Sequence, residues 1–381
     1  MKVIEVQGVN YGNKGAQLML EACRQHFDGR AKLVLPFRIG SFERRRTAGL
    51  GHLIRVQRER FPGMNALLAA GVALAPRRVL SAGDVWRESA LDALVDASGF
   101  LYSDHWGIDA IERMAKRAKS LKRSRRKVVL LPQAFGPFDG PASKRAMREI
   151  ILHCDLVFAR DKVSLEHLLD ALGGERPAHI RQAPDFTNLL NPRAVAAGTA
   201  GSTLILVPNA RMLDKTSASD AAEYPALLAR VARRGQELGF RPVLMVHDQT
   251  GDNRLADVIE TKLSFRLERI TLTDPLALKA ELASAAIVVG SRFHALVGAL
   301  SSGTPTIAVG WSHKYEELMR DYGLDNASVR VADFERVAAL LDQWADATRR
   351  GALRAELQAR ASQQKALTHA MWRQVDAVLT A

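Results

Sequence analysis

Cysteine is nearly absent: Cys23 and Cys154 are the only two in 381 residues, and they lie apart in apolar surroundings without C-x-x-C spacing. The pattern indicates neither a disulfide framework nor a cysteine-held zinc, and leaves buried free thiols. Long apolar runs are missing too. The most apolar window, Ala66 to Ala75, is far shorter than the roughly 20 residues that span a bilayer, so no transmembrane helix is expected. Met1 to Gly8 opens directly in strand-like alternation, without a basic region leading into an apolar one, so no signal peptide is expected and a cytoplasmic location follows. Metal motifs are lacking: there is no H-E-x-x-H and no paired-aspartate pattern, so no metal is assigned. The glycine loop Asn10 to Gly15 has neither the Gly-Lys-[Ser/Thr] of a Walker A loop nor G-x-G-x-x-G.

Positive charge is what the chain has in excess. The formal net charge is +13 and the pI about 10, which favours anionic partners such as phosphorylated small molecules, acidic glycans, lipid head groups or nucleic acid. One basic run, Lys119, Lys122, Arg123, Arg125, Arg126 and Lys127, closes the helical pattern Ile108 to Leu121. Cations there complement the helix dipole, and no stacking aromatics are interleaved, so a solvated helix end is favoured over nucleic-acid binding. A second set, Arg44, Arg45, Arg46, Arg55, Arg58 and Arg60, precedes the apolar Ala66 to Ala75, with Arg77 and Arg78 beyond it. Two accounts stand open for it: a peripheral contact with an anionic membrane, at its inner face, or a core helix with a solvated basic rim.

Along the chain, short β-branched runs alternate with helical periodicity. Val3 to Gln7, Leu91 to Ala97, Val128 to Pro132 and Leu156 to Ala159 read as strands in the first half. After Asn191 to Ser202, rich in small residues with Pro192, Gly198 and Gly201, the alternation restarts with strands at Leu204 to Val207 and Pro242 to Val246. Helices at Ala221 to Leu238, Arg254 to Leu263 and Leu276 to Ala283 follow the same rhythm, and a long one covers Leu353 to Leu379. The expected organisation is two Rossmann-like α/β domains with parallel sheets, at 1–190 and 203–381, joined by a linker at 191–202.

The stretch Ala286 to Leu324 concentrates the chemistry. Ile287, Val288 and Val289 form an apolar strand that stops at Gly290-Ser291, and Arg292, Phe293 and His294 open a helix that ends at Ser301-Ser302-Gly303. Such a turn presents free backbone N–H groups and the positive end of a helix dipole, which suit an anion. A second strand, Thr306 to Val309, ends near His313 and Lys314. Open α/β folds bind ligands at the carboxyl ends of their strands. Arg292 and Arg160, the latter just after Leu156 to Ala159, are candidate clamps for a carboxylate or phosphate.

Arg292-Phe293-His294, Gly303-Thr304-Pro305, Lys314 and Tyr322-Gly323-Leu324 resemble the carboxyl-terminal signature of the polysaccharide pyruvyl transferases. Asn10-Tyr11-Gly12-Asn13-Lys14-Gly15, Pro132-Gln133-Ala134-Phe135-Gly136-Pro137, Arg160-Asp161-Lys162-Val163-Ser164 and Pro184-Asp185-Phe186 match upstream in the same order. Two departures stand out: Asn13 where many members carry Asp, and Ser98-Gly99 where paired glycines are more common. The resemblance implies a GT-B-like architecture of two domains facing a cleft. It also implies transfer of a pyruvyl group from phosphoenolpyruvate to two sugar hydroxyls, with release of phosphate and no cofactor. The acceptor would be a saccharide of a cell-surface glycan or its precursor, with a lipid-linked form among the candidates.

His294 and Asp185 are then the acid/base candidates. Arg292, Arg160, Lys314 and His313 are the candidates for phosphoenolpyruvate, and Asn10, Gly12, Asn13 and Gln133 for acceptor or loop contacts. Two other readings stay open: a GT-B glycosyltransferase using a nucleotide sugar, and a glycan- or anion-binding protein without activity.

Overall fold

A computed structural model describes residues 1–54, 75, 77–192, 201–248 and 250–381. Arg55, Arg58, Arg60 and the apolar window from 66 to 74 lie outside the described residues, as does most of the Asn191 to Ser202 stretch. The chain forms two compact units. Met1–Tyr11, Met19–Ala183 and Trp372–Ala381 make the first, and Gly12–Leu18 with Pro184–Met371 make the second.

Among the described residues the first unit carries eight strands: β1 (Lys2–Gln7), β2 (Ala31–Pro36), β3 (Gly51–Ile54), β4 (Val85–Arg87), β5 (Ala93–Asp96), β6 (Lys127–Gln133), β7 (Leu156–Ala159) and β8 (Ile180–Gln182). Their spatial order is β4-β3-β2-β1-β5-β6-β7-β8, and every neighbouring pair is parallel. The sequence reading places no strand at β2, β3 or β4. On one face, Leu94, Val128, Leu130 and Val157 pack with Ile111 and Met114 of the helix Asp109–Arg123 and Met147 and Ile150 of the helix Pro141–His153.

The second unit has, among the described residues, six parallel strands: β9 (Thr203–Val207), β10 (Arg241–Met245), β11 (Glu268–Ile270), β12 (Ile287–Gly290), β13 (Thr306–Val309) and β14 (Ser328–Val329). The order is β11-β10-β9-β12-β13-β14. Alternate residues of β9 explain how both faces are filled. Leu204 and Leu206 join Leu228 and Val231 of the helix Ala218–Glu237, whereas Ile205 and Val207 join Leu278 and Leu282 of the helix Pro275–Ser284. Parallel sheets need such cover on each side. The chain leaves β9 toward β10 and β11, then returns on the other side as β12, so the strand order reverses between β9 and β12. That reversal opens a crevice at the carboxyl ends of the two strands. The long helix runs Ala347–Thr380, starting earlier than its sequence pattern suggests.

Candidate active site

The site grows from the β9–β12 pair. A Cβ on Gly290 would stand 2.8 Å from the Cβ of Val207, so glycine is what lets the strands stay paired to their ends. Ser291 is then held from several directions. Its N–H donates to the Val207 carbonyl at 3.0 Å, and its own carbonyl accepts from Asn209 Nδ2 at 2.7 Å and from the Tyr315 hydroxyl at 2.8 Å. Tyr224 donates its hydroxyl to Ser291 Oγ at 2.8 Å and accepts from the Asn209 N–H at 3.2 Å. All of these groups are buried, so the backbone enters the helix Phe293–Leu300 from a fixed point.

Arg292 precedes that helix with extended backbone. Its Nε donates to Asp252 Oδ2 at 2.9 Å and its Nη2 to Asp252 Oδ1. Asp252 is fully buried and also accepts from the backbone N–H groups of Ala210 (3.0 Å) and Asp248 (2.9 Å). With both oxygens doubly engaged the carboxylate cannot swing, and the planar guanidinium is locked to it. Arg292 is therefore an oriented fork with one edge committed to Asp252, and the Nη1 edge remains for an anion.

His294 is the second residue of the helix. Its Nε2 lies 3.5 Å from Asp185 Oδ2, an ion pair once the imidazole carries a proton. Asp185 is fixed by the turn it caps: Oδ1 accepts from the Thr187 N–H at 3.0 Å and the Thr187 hydroxyl at 2.5 Å, which leaves Oδ2 turned to His294. Behind this turn, buried Lys279 donates from Nζ to the Thr187 carbonyl at 3.0 Å. Burial pushes Lys279 down to about 7, with Lys365 adding to the effect and Asp185 opposing it. On its other side His294 meets the glycine loop, where a Cβ on Gly15 would fall 2.3 Å from His294 Nδ1. Asn13 Oδ1 accepts from the N–H groups of Gly15 (2.8 Å) and Ala16 (3.4 Å), which shapes that loop. Lys14, itself buried, donates from Nζ to the Thr273 carbonyl at 2.6 Å.

A further imidazole, His247, follows β10. Burial, together with the charges of Arg292, His294 and Lys14, pushes it down to about 3. Lys314 lies among rings, its ammonium 4.9 Å from the centroid of Trp311, 5.2 Å from Tyr315 and 5.9 Å from Phe293. His313 is the first residue of the helix His313–Asp321, and Gly12 is exposed in the loop. Asn10, Gln133 and Arg160 belong to the first unit. There, Arg160 donates its N–H to the Gln133 carbonyl at 3.0 Å, and Asn10 is exposed after β1. Gln133 Nε2 reaches Asp96 Oδ1 at 3.4 Å, and Asp96 Oδ2 accepts from Gln7 Nε2 (2.8 Å) and Tyr102 (2.6 Å).

Four residues of the site escape sequence reasoning. His247 and Asn209 carry the same signal as Arg292, a polar residue just past an apolar strand. Asp252 and Lys279 carry none, being charges within helices that no motif marks.

Chemically, the second unit gathers a guanidinium, an ammonium and a helix N-terminus suited to an anion, beside an imidazole–carboxylate pair suited to proton transfer. Known proteins bear on this. The Anabaena protein HepE, solved with UDP and glucose, superposes over 100% of both chains with a TM-score of 0.61 at 15% identity. UDP-GlcNAc 2-epimerase of Neisseria meningitidis does so with a TM-score of 0.60 at 10% identity, again over 100% of both chains. These likenesses establish a GT-B-like fold. The amylovoran biosynthesis protein AmsJ of Erwinia amylovora is 22% identical over 255 residues, which span 61% of this chain and 60% of that relative. The sequence profile of the polysaccharide pyruvyl transferases matches residues 13–313, from the glycine loop through Arg292 and His294 to His313, and the chain belongs to that family.

Proposed function

We propose that the protein transfers a pyruvyl group from phosphoenolpyruvate to two hydroxyls of one saccharide, forming a ketal and releasing phosphate. The observation that carries this reading is the pairing of His294 with Asp185 beside Arg292, whose fork Asp252 holds in place. Phosphoenolpyruvate has a carboxylate and a phosphate on one small frame. The oriented Arg292 edge and the first N–H groups of the helix Phe293–Leu300 bind one of these anionic groups, with Lys14 and Lys314 adding positive charge.

The proton account closes. Two hydroxyl protons leave the saccharide, one is added to the vinyl carbon to make a methyl group, and one ends on the departing phosphate. His294 accepts a hydroxyl proton and returns it to carbon, and Asp185 stabilises the imidazolium between the two events. Family membership supports a saccharide acceptor, and the relationship to an amylovoran biosynthesis protein supports an extracellular polysaccharide or its precursor.

Calorimetric titration with phosphoenolpyruvate, followed by phosphate release in the presence of saccharide acceptors, tests the proposal. Arg292→Ala is expected to weaken donor binding by about tenfold or more, the effect of losing a charge-assisted hydrogen bond. His294→Ala is expected to bind the donor and lose turnover. Binding of UDP-sugars with no binding of phosphoenolpyruvate would turn the assignment to glycosyl transfer.

A further inference from the structure

His247 has no role in the account so far, yet its environment is unusual. The residue is 4% exposed, and its Nε2 is buried without a hydrogen-bond partner among the described residues. A polar atom left unpaired in the interior forfeits the hydrogen bonds it makes with water. Such an atom, at the carboxyl end of a strand beside Arg292, points to a partner supplied from outside the chain. The ring stands at the carboxyl end of β10, beside β9 at the strand reversal, and the groups that act on it are Arg292, His294 and Lys14. These are the groups assigned above to the anion and to proton transfer.

The surrounding charge decides which form of the ring is present. Burial, with the charges of Arg292 and Lys14 nearby, opposes a proton on His247, so the imidazole is neutral at ordinary pH and carries one N–H and one lone pair. A further full charge beside Arg292 and Lys14 would add repulsion. A neutral N–H gives the bound anion a directed donor without that penalty.

Resting on the pyruvyl-transfer reading, we propose that His247 is a donor-site residue whose neutral imidazole gives its Nε2–H to an oxyanion of phosphoenolpyruvate held beside Arg292 and Lys14. Bound anion reduces the net positive field, so the N–H is retained through the reaction. The residue binds and orients the donor, and His294 keeps the proton transfer.

The test compares the intact wild-type protein with His247→Gln and His247→Phe by calorimetric titration with phosphoenolpyruvate, with melting curves to confirm that each variant is folded. Loss of the donor in His247→Phe is expected to weaken binding about tenfold or more, whereas His247→Gln, which keeps an N–H near the same place, should stay within about threefold of wild type. Unchanged affinity in a folded His247→Phe overturns the proposal.

Should His247→Phe fail to fold, the wild-type protein decides through nitrogen-15 resonances of its histidine rings. Saturation with phosphoenolpyruvate should move the His247 Nε2 signal, and an unmoved signal overturns the proposal. Inorganic phosphate and pyruvate, titrated separately, identify which end of the donor the ring contacts. If phosphate binds and phosphoenolpyruvate does not, the pyruvyl-transfer reading fails while the His247 contact is judged on phosphate alone. Failure of the wild type to bind any of the three overturns both.

Discussion

A methyl group at position 15 would sit 2.3 Å from His294 Nδ1, so Gly15 and the imidazole share a space that admits no side chain. Gly15 lies in the first turn of the helix Lys14–Phe27, where alanine is the better helix former by about 1 kcal/mol. The two effects oppose each other in stability, but only the clash acts on His294. Gly15→Ala should therefore melt within a few degrees of wild type and lose turnover by about 100-fold, as expected for a catalytic group displaced by about 1 Å. Melting curves and phosphate release on the same sample check it, and full activity in the variant would remove the imidazole's placement from the account. The sequence made His294 and Arg292 visible as polar residues at strand ends. Gly15 was visible only as a loop glycine, because the ring it accommodates comes from a distant part of the chain.

At the scale of elements, the turn between β12 and the helix Phe293–Leu300 is stiffened by side chains from three other elements. Asn209 follows β9, Tyr224 comes from the helix Ala218–Glu237, and Tyr315 from the helix His313–Asp321. Tyr224→Phe keeps the ring but removes the hydroxyl, leaving the buried Asn209 N–H without its acceptor and Ser291 Oγ without its donor. The cost is expected to be about 1–3 kcal/mol in urea unfolding, larger than for an exposed hydrogen bond. Turnover should fall as well, since Arg292 is attached to the loosened turn. A variant as stable as wild type would mean that water takes over both contacts. The strand–turn–helix itself is legible from Ile287-Val288-Val289-Gly290-Ser291. Its bracing is not, because tyrosines in amphipathic helices read as core.

For the whole molecule, buried Lys279 ties stability to pH. Its folded value of about 7 lies below the ordinary lysine value of 10.5, so between these limits the unfolded chain binds the extra proton and stability rises with pH. Below pH 7 the full cost of the buried charge is present, on the order of a few kcal/mol. His247 acts with the same sign in a lower window, between about 3 and 6.5. Lys279→Met should gain melting temperature over wild type at pH 7 and lose that advantage at pH 10, as followed by scanning calorimetry. An equal difference at both pH values would sink the assignment.

Local patterning was enough to reveal two α/β halves, because periods of 2 and 3.6 residues and the punctuation by glycine and proline are properties of short segments. It also revealed the family and the cationic strand end at Arg292 and His294. The partners of those residues emerged only with the folded chain. Asp185 turns Oδ2 to His294, Asp252 holds Arg292, and Gly12–Leu18 groups with the second unit, through crossovers that join segments far apart in sequence. A carboxylate's partner depends on where strand order reverses and on which helix covers which face, and no short window of sequence carries that information.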